Sequence, residues 1–109
     1  MIKNSATYLG LGYIGLPTAI LTAKSGIKTF GYDIDSDKRN YIKKLEIFTK
    51  EPGLNEGLKS VLDNGLLEIS NEIEISSTYL IVVPTPLIAG NLPDISIVKN
   101  AVKSIIPLL

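Results

Sequence analysis

Short apolar runs alternate along the chain with stretches whose apolar residues recur every three or four positions. That pattern predicts strands joined by helices, and hence an α/β fold with a parallel sheet. Ala6-Thr7-Tyr8-Leu9 predicts a first strand ending at Gly10, followed by a mostly apolar helix from Tyr13 to Lys24 that Gly26 closes. Lys28-Thr29-Phe30-Gly31-Tyr32 predicts a second strand ending at Asp33. Asp35 or Ser36 then caps a helix with Tyr41, Ile42 and Leu45 turned inward. Glu51-Pro52-Gly53 breaks the pattern before a third helix striped by Leu54, Leu58, Val61 and Leu62 and stopped by Asn64-Gly65. Leu67-Glu68-Ile69 predicts a short strand. The continuous run Tyr79-Leu80-Ile81-Val82-Val83 predicts a strand buried on both faces, ended by Pro84-Thr85-Pro86. Asp94 is placed to cap a last helix with Val98, Ala101, Val102, Ile105 and Ile106 on its apolar side.

The count is four strands and four helices in 109 residues, with no repeat and no low-complexity linker. A doubly wound nucleotide-binding sheet carries six strands, so the expectation is a partial, truncated Rossmann-like sheet over residues 1–109, incomplete at its C-terminal end. A complete four-stranded α/β domain is the alternative.

Composition narrows the chemistry. Eleven basic and eleven acidic residues cancel, leaving no positive field to collect nucleic-acid phosphates. Hydrophobic residues make up 45% and charged ones 20%, which argues against a disordered tail. Cysteine and histidine are both absent. No disulfide scaffold, thiolate metal site, Cys nucleophile or His base can come from these residues. Met1-Ile2-Lys3 and the apolar run from Ala6 to Ala23 superficially resemble a secretory signal, but three glycines and Pro17 interrupt the run. No stretch reaches the length of a membrane span, so a cytoplasmic location is expected.

The candidate chemistry lies at the first strand-to-helix turn. Gly10-Leu11-Gly12-Tyr13-Ile14-Gly15 matches G-x-G-x-x-G between a predicted strand and a predicted helix, the context a dinucleotide fingerprint requires. Gly10 permits the tight turn, Gly12 lets a pyrophosphate approach the main chain, and Gly15 lets helix and strand pack closely. The N–H groups of Tyr13 and Ile14 would face the phosphates with the positive end of the helix dipole behind them. A glycine-rich turn that merely permits packing is the competing explanation.

Asp33 ends the second strand, where a dinucleotide fold places an acid on the adenosine ribose. A carboxylate there accepts from both ribose hydroxyls and repels a 2′-phosphate, favouring NAD over NADP. With Asp35 and Asp37 close by, Asp33 could instead be a turn or capping residue. Lys38 and Arg39 either reach the adenosine side, softening that exclusion, or form a solvated helix face. Thr85 follows the best-defined strand at the carboxyl end of the sheet, where ligands bind in open α/β sheets. It is equally readable as a cofactor contact or as a turn residue between two prolines. A methyltransferase would also use a glycine-rich loop and an acid after the second strand. Its loop typically reads G-x-G-x-G, whereas here residue 14 is Ile and Gly15 takes the dinucleotide position.

Taken together, Gly10 to Pro17, Gly31-Tyr32-Asp33-Ile34-Asp35, Glu51-Pro52-Gly53-Leu54, Val83-Pro84-Thr85-Pro86 and Pro93-Asp94-Ile95-Ser96 resemble the N-terminal domain of the UDP-glucose/GDP-mannose dehydrogenase family. The Val-Pro-Thr-Pro version is most similar to the branch that oxidises UDP-N-acetyl-D-mannosamine. The resemblance covers nearly the whole chain. It implies an NAD-dependent four-electron oxidation of a sugar C6 alcohol to a uronic acid, with Tyr13, Ile14, Asp33 and Thr85 contacting NAD. The family's catalytic Cys, Lys and Asn and its sugar-binding domains match no residue here. The resemblance therefore implies no catalytic residue in this chain, and a nucleotide-sugar substrate only together with further domains. The segment 71–76 looks more strand-like than the helix the family usually carries there. A non-catalytic nucleotide-binding or interaction module, associating with itself or another chain through an exposed sheet edge, is the reading from a different class.

Overall fold

The computed structural model describes residues 2–45 and 52–109, so Glu51 of the predicted helix break lies outside the described residues. Among the described residues eight elements carry the fold: β1 (Ile2–Leu9), α1 (Gly15–Lys24), β2 (Lys28–Tyr32), α2 (Ser36–Lys43), α3 (Leu54–Asp63), β3 (Leu67–Ile69), β4 (Ser76–Ile81) and α4 (Ser96–Ile105). Short 3-10 turns occupy Ala89–Asn91 and Ile106–Leu108. The strands form one parallel sheet, as the alternating pattern predicted, and the structure sets their order as β3-β2-β1-β4.

Strand register separates the two faces. Ala6 pairs with Thr29 and Tyr8 with Gly31, and the Tyr8 hydroxyl meets Thr22 Oγ1 of α1 at 2.8 Å, so this face looks toward α1. The core lies on that side. Ala6, Tyr8, Leu67 and Ile69 from the sheet meet Leu16, Ala19, Ile20 and Ala23 of α1 and Leu58 and Val61 of α3. Burying each of the larger side chains contributes about 1.5–3 kcal/mol. The predicted α3 stripe is borne out, with Leu58 and Val61 buried and Leu54 and Leu62 packed at its margin.

The opposite face is covered differently. Residues 70–75 connect β3 to β4 without a helix, although a parallel crossover usually takes a dozen residues or more. Thr7, on this face of β1, donates its hydroxyl to the Glu74 carbonyl at 3.0 Å and meets Ser76 Oγ at 2.8 Å, which ties the extended connection to the sheet.

Several expectations change in the structure. β1 begins at Ile2 rather than Ala6, with a register irregularity against β4 between Ile2 and Ala6 and a left-handed Asn4 (φ 52°). α1 starts at Gly15, leaving Tyr13 and Ile14 in the turn before it. The strand predicted at Tyr79–Val83 runs from Ser76 to Ile81, takes an outer position in the sheet and is half-buried rather than covered on both faces. A continuous apolar run reports hydrophobicity but not how many neighbours a strand has. On α2 only Ile42 is buried, while Tyr41 and Leu45 are exposed. On α4 only Ile105 is buried, and Val102 and Ile106 stay exposed. Among the described residues no helix is long and apolar enough to cross a membrane.

Candidate functional site

The glycine loop joins β1 to α1 at the carboxyl end of the sheet. Gly10 N–H donates to the Tyr32 carbonyl at 2.8 Å, so the chain stays fastened to β2 as it leaves β1. Gly10 has φ +108°, and a Cβ there would collide with the Val82 carbonyl oxygen. Only glycine meets both conditions without strain. A Cβ on Gly15 would collide with the Gly10 carbonyl oxygen, so the first turn of α1 packs directly on the loop. Gly12 is different in kind. Nothing lies within 4 Å of where its Cβ would stand, so its missing side chain leaves open space rather than relieving a clash.

Leu11 holds the loop between these glycines from below. Its side chain is buried in the core, against the bare backbone of Gly31. Beyond it, Leu16 N–H donates to the Gly12 carbonyl at 2.9 Å and closes the first helical turn. Among the described residues no protein group accepts from the N–H groups of Gly12, Tyr13 and Ile14. Unpaired amides at a helix start, backed by the partial positive charge of the macrodipole, form an anion-receptive surface. Tyr13 is 87% exposed and Ile14 60%, so both side chains stand clear of the core at the mouth of this surface.

Asp33 faces the loop from the end of β2 and is only 7% exposed. Its Oδ2 accepts from Leu11 N–H at 2.8 Å and its Oδ1 from Asp35 N–H at 3.0 Å. A carboxylate has about four lone-pair sites, so acceptor capacity remains on both oxygens. Lys38 Nζ lies 3.6 Å from Oδ2. Arg39 Nη1 donates to the Asp33 carbonyl at 2.7 Å, and its guanidinium lies over the Tyr32 ring. Asp35 caps α2 by accepting from the N–H groups of Asp37 and Lys38, as predicted for that position.

These groups border one cleft of about 660 Å³, within the range of small-molecule sites. Gly10, Gly12, Tyr13, Ile14, Gly15 and Asp33 all line it, so six of the seven predicted site residues come together. Thr85 does not line it. The wall runs through Val82, Val83 and Pro84, and Thr85 is exposed one residue beyond. Ile34, Asp35, Ile73, Ile97 and Ala101 are also among the lining and were not predicted as site residues from the sequence. Ile34 carried a readable signal, an apolar residue directly after the strand-ending acid, whereas Ile73 and the α4 residues arrive only through long-range packing. Asp94 lies one residue ahead of the helix cap predicted for it, since Ile95 occupies the cap and Asp94 Oδ1 accepts from Ser96 N–H at 2.9 Å. That bond, with a second from the Ser96 side chain, holds the Asp94 carboxyl below its ordinary pKa of 3.8. Among the described residues no cluster of three or more acids could hold a metal ion.

Comparison with known proteins agrees with this geometry. The family model described as the NAD binding domain of the UDP-glucose/GDP-mannose dehydrogenase family matches residues 4–109. The chain is 41% identical over 100 residues to UDP-N-acetyl-D-mannosamine dehydrogenase of Pyrococcus horikoshii, covering 89% of this chain and 24% of that protein. It is 39% identical over 109 residues to the Salmonella typhimurium protein of the same name, covering all of this chain and 26% of the relative. Among solved structures, the UDP-N-acetyl-mannosamine dehydrogenase of Staphylococcus aureus superposes with a TM-score of 0.90 at 41% identity, over 96% of this chain and 26% of that one. The chain thus spans about a quarter of the length of the relatives it matches. A glycine loop with open amides, an acid across from it and a family match from residue 4 to residue 109 agree, and the chain belongs to the UDP-glucose/GDP-mannose dehydrogenase family, where it corresponds to the NAD binding domain.

Proposed function

We propose that the chain holds NAD for a nucleotide-sugar 6-dehydrogenase whose substrate is UDP-N-acetyl-D-mannosamine. The observation that carries this reading is the open space at Gly12 beside three unpaired amides, with the Asp33 carboxylate on the same cleft. A diphosphate needs close backbone approach and N–H donors, and an adenosine ribose needs a paired acceptor; the residues present fit both. In this assignment Gly12, Tyr13 and Ile14 hold the pyrophosphate through their N–H groups. Gly10 and Gly15 shape the loop, and Asp33 accepts from the ribose hydroxyls. Thr85, one residue past the cleft wall, takes the outer end of the site with its hydroxyl. The negative charge of Asp33 disfavours a 2′-phosphate, so NAD is bound in preference to NADP.

When bound, NAD supplies a hydride acceptor. This chain's own residues bind and orient it but offer no Cys, no His and no predicted catalytic group. The substrates named for the relatives belong to proteins about four times as long, so oxidation of the sugar is assigned to the whole protein.

Calorimetric titration of the 109-residue chain with NAD tests the reading. Saturable binding weaker than about 1 μM is expected, because the chain spans only about a quarter of the length of the relatives it matches. Absence of binding at millimolar NAD would refute it. A parallel incubation with NAD and UDP-N-acetyl-D-mannosamine is expected to yield no NADH, and turnover at enzyme-like rates would contradict the placing of catalysis outside this chain.

A further inference from the structure

At their amino ends, away from the carboxyl end that borders the cleft, β1 and β4 are out of step. Ile2 pairs with Ser76 and Ala6 with Thr78, so four steps along β1 match two along β4. Where the ladder resumes, side-chain hydroxyls supplement it. Ser5 N–H donates to Ser77 Oγ at 2.9 Å, and Ser77 N–H donates to Ser5 Oγ at 3.0 Å. Ser77 Oγ in turn donates to the Ser5 carbonyl at 2.7 Å. Ser5 is buried, while Ser77 is exposed.

The apolar pattern does not choose this register. Without the extra residues, β1 would run from Ile2 opposite Ser76 to Leu9 opposite Val83, whereas Leu9 stands opposite Ile81. A two-residue shift returns every side chain to its own face, so burial tolerates either alignment along the apolar run Tyr79–Val83. The alignments differ in where the strand leaves the sheet. As observed, Val82, Val83 and Pro84 project past the partner of Leu9 and line the cleft, and the loop at Gly10 packs on the Val82 carbonyl. The alternative draws that wall down into the sheet by about 6–7 Å. Pro84 opposes the shift from the other end. Val82 N–H donates to the Leu9 carbonyl at 2.8 Å, and after the shift that place falls to Pro84, which has no N–H to give.

We propose that Ser5 and Ser77 are positioning residues for the dinucleotide cleft: their reciprocal bonds fix the β1–β4 register and with it the height of the wall formed by Val82, Val83 and Pro84. The inference rests on the dinucleotide reading above. Neither serine lines the cleft, so both act through the strand that carries the wall. Pro84 makes the same choice from the carboxyl end, and only removal of both constraints frees β4 to slip.

The test compares wild type, S77A, P84A, S77A/P84A and S77T/P84A in the 109-residue chain. Calorimetry gives NAD affinity, interstrand NOEs give the register, and circular dichroism confirms folding. P84A is expected to keep the contacts between Leu9 and Ile81 and serves as the affinity reference. S77A/P84A is expected to show contacts between Leu9 and Val83 and to bind NAD about tenfold more weakly than P84A. S77T/P84A keeps the hydroxyl and is expected to restore the register, with affinity within about twofold of P84A. The inference is overturned by a double variant S77A/P84A that keeps the native register, by a slip that leaves NAD affinity unchanged, or by a slip that threonine does not reverse. Each of these leaves the dinucleotide reading standing. Should S77A/P84A not fold, S77A alone decides. Its Val82 amide is expected to exchange with solvent about tenfold faster than in wild type, while the Gly10 amide, bonded to β2, keeps its rate. Unchanged Val82 exchange then overturns the inference. Absence of NAD binding by the folded wild-type chain overturns the dinucleotide reading and the positioning role with it.

Discussion

The Asp33 carboxylate and the Leu11 backbone N–H are joined by a buried 2.8 Å hydrogen bond, which ties the end of β2 to the middle of the glycine loop. The bond gives Asp33 a mechanical role besides the one proposed toward the ribose. It orients the carboxylate along the cleft and prevents the loop from lifting away from the sheet. Charge-assisted bonds of this type are stronger than neutral ones. Because Leu11 is itself buried, its amide has no ready route to water if the acceptor is lost.

Replacing Asp33 with alanine should therefore act on stability and binding together. The orphaned Leu11 amide costs about 1–3 kcal/mol, read as a lower urea midpoint, and NAD affinity falls at least tenfold. Unchanged stability together with unchanged affinity would show that the bond and the ribose assignment are both misplaced.

Gly12→Ala separates fold from function. The added methyl group meets no protein atom within 4 Å, so stability should stay within about 0.5 kcal/mol of the parent or rise slightly. NAD affinity should drop at least tenfold, because the methyl group occupies space assigned to the diphosphate. Thermal melts with and without NAD read both effects on one instrument, and a retained ligand-induced shift in Tm would argue against the cradle.

Gly10→Ala is the counterpart in which the fold itself suffers. Left-handed backbone and a collision with the Val82 carbonyl combine, and a loss of about 2–4 kcal/mol is expected in denaturant unfolding. A near-neutral result would mean that the loop relaxes around the methyl group and that its path is not dictated by glycine.

Thr85→Ala should be mild by comparison. Thr85 stands outside the cleft lining, so removing its hydroxyl is expected to weaken NAD binding by less than about threefold. A loss as large as that of Asp33→Ala would show that the exposed Pro84-Thr85-Pro86 segment closes onto the ligand.

The Asp94 carboxyl supplies a pH signature. Its bonds from Ser96 favour the ionised form, so its pKa in the folded chain lies below the usual 3.8. A depressed folded-state pKa stabilises the fold above the unfolded value, and that contribution disappears as pH falls through the folded one. An NMR titration should place the Asp94 midpoint below 3.8, and Ser96→Ala, which removes the side-chain donor, should move it upward. A midpoint at or above 3.8 would show that the bond is not maintained in solution.

Much of this architecture was legible one residue at a time. The spacing of Gly10, Gly12 and Gly15, the acid at position 33, the Asp35 cap and the Leu58/Val61 stripe all encode local demands on backbone angle, capping or burial period, and those demands operate over a few residues. What tertiary structure alone decided are relationships across long sequence separations. The order β3-β2-β1-β4 puts β4, which carries Tyr79, Leu80 and Ile81, at an outer position, the connection 70–75 crosses the sheet without a helix, and α4 buries only Ile105 fully. The bond from Leu11 to Asp33 belongs to the same class. Hydrophobic periodicity states which side of an element avoids water, but not which element covers it. That choice is made by strand register and packing, where residues twenty to seventy positions apart first meet.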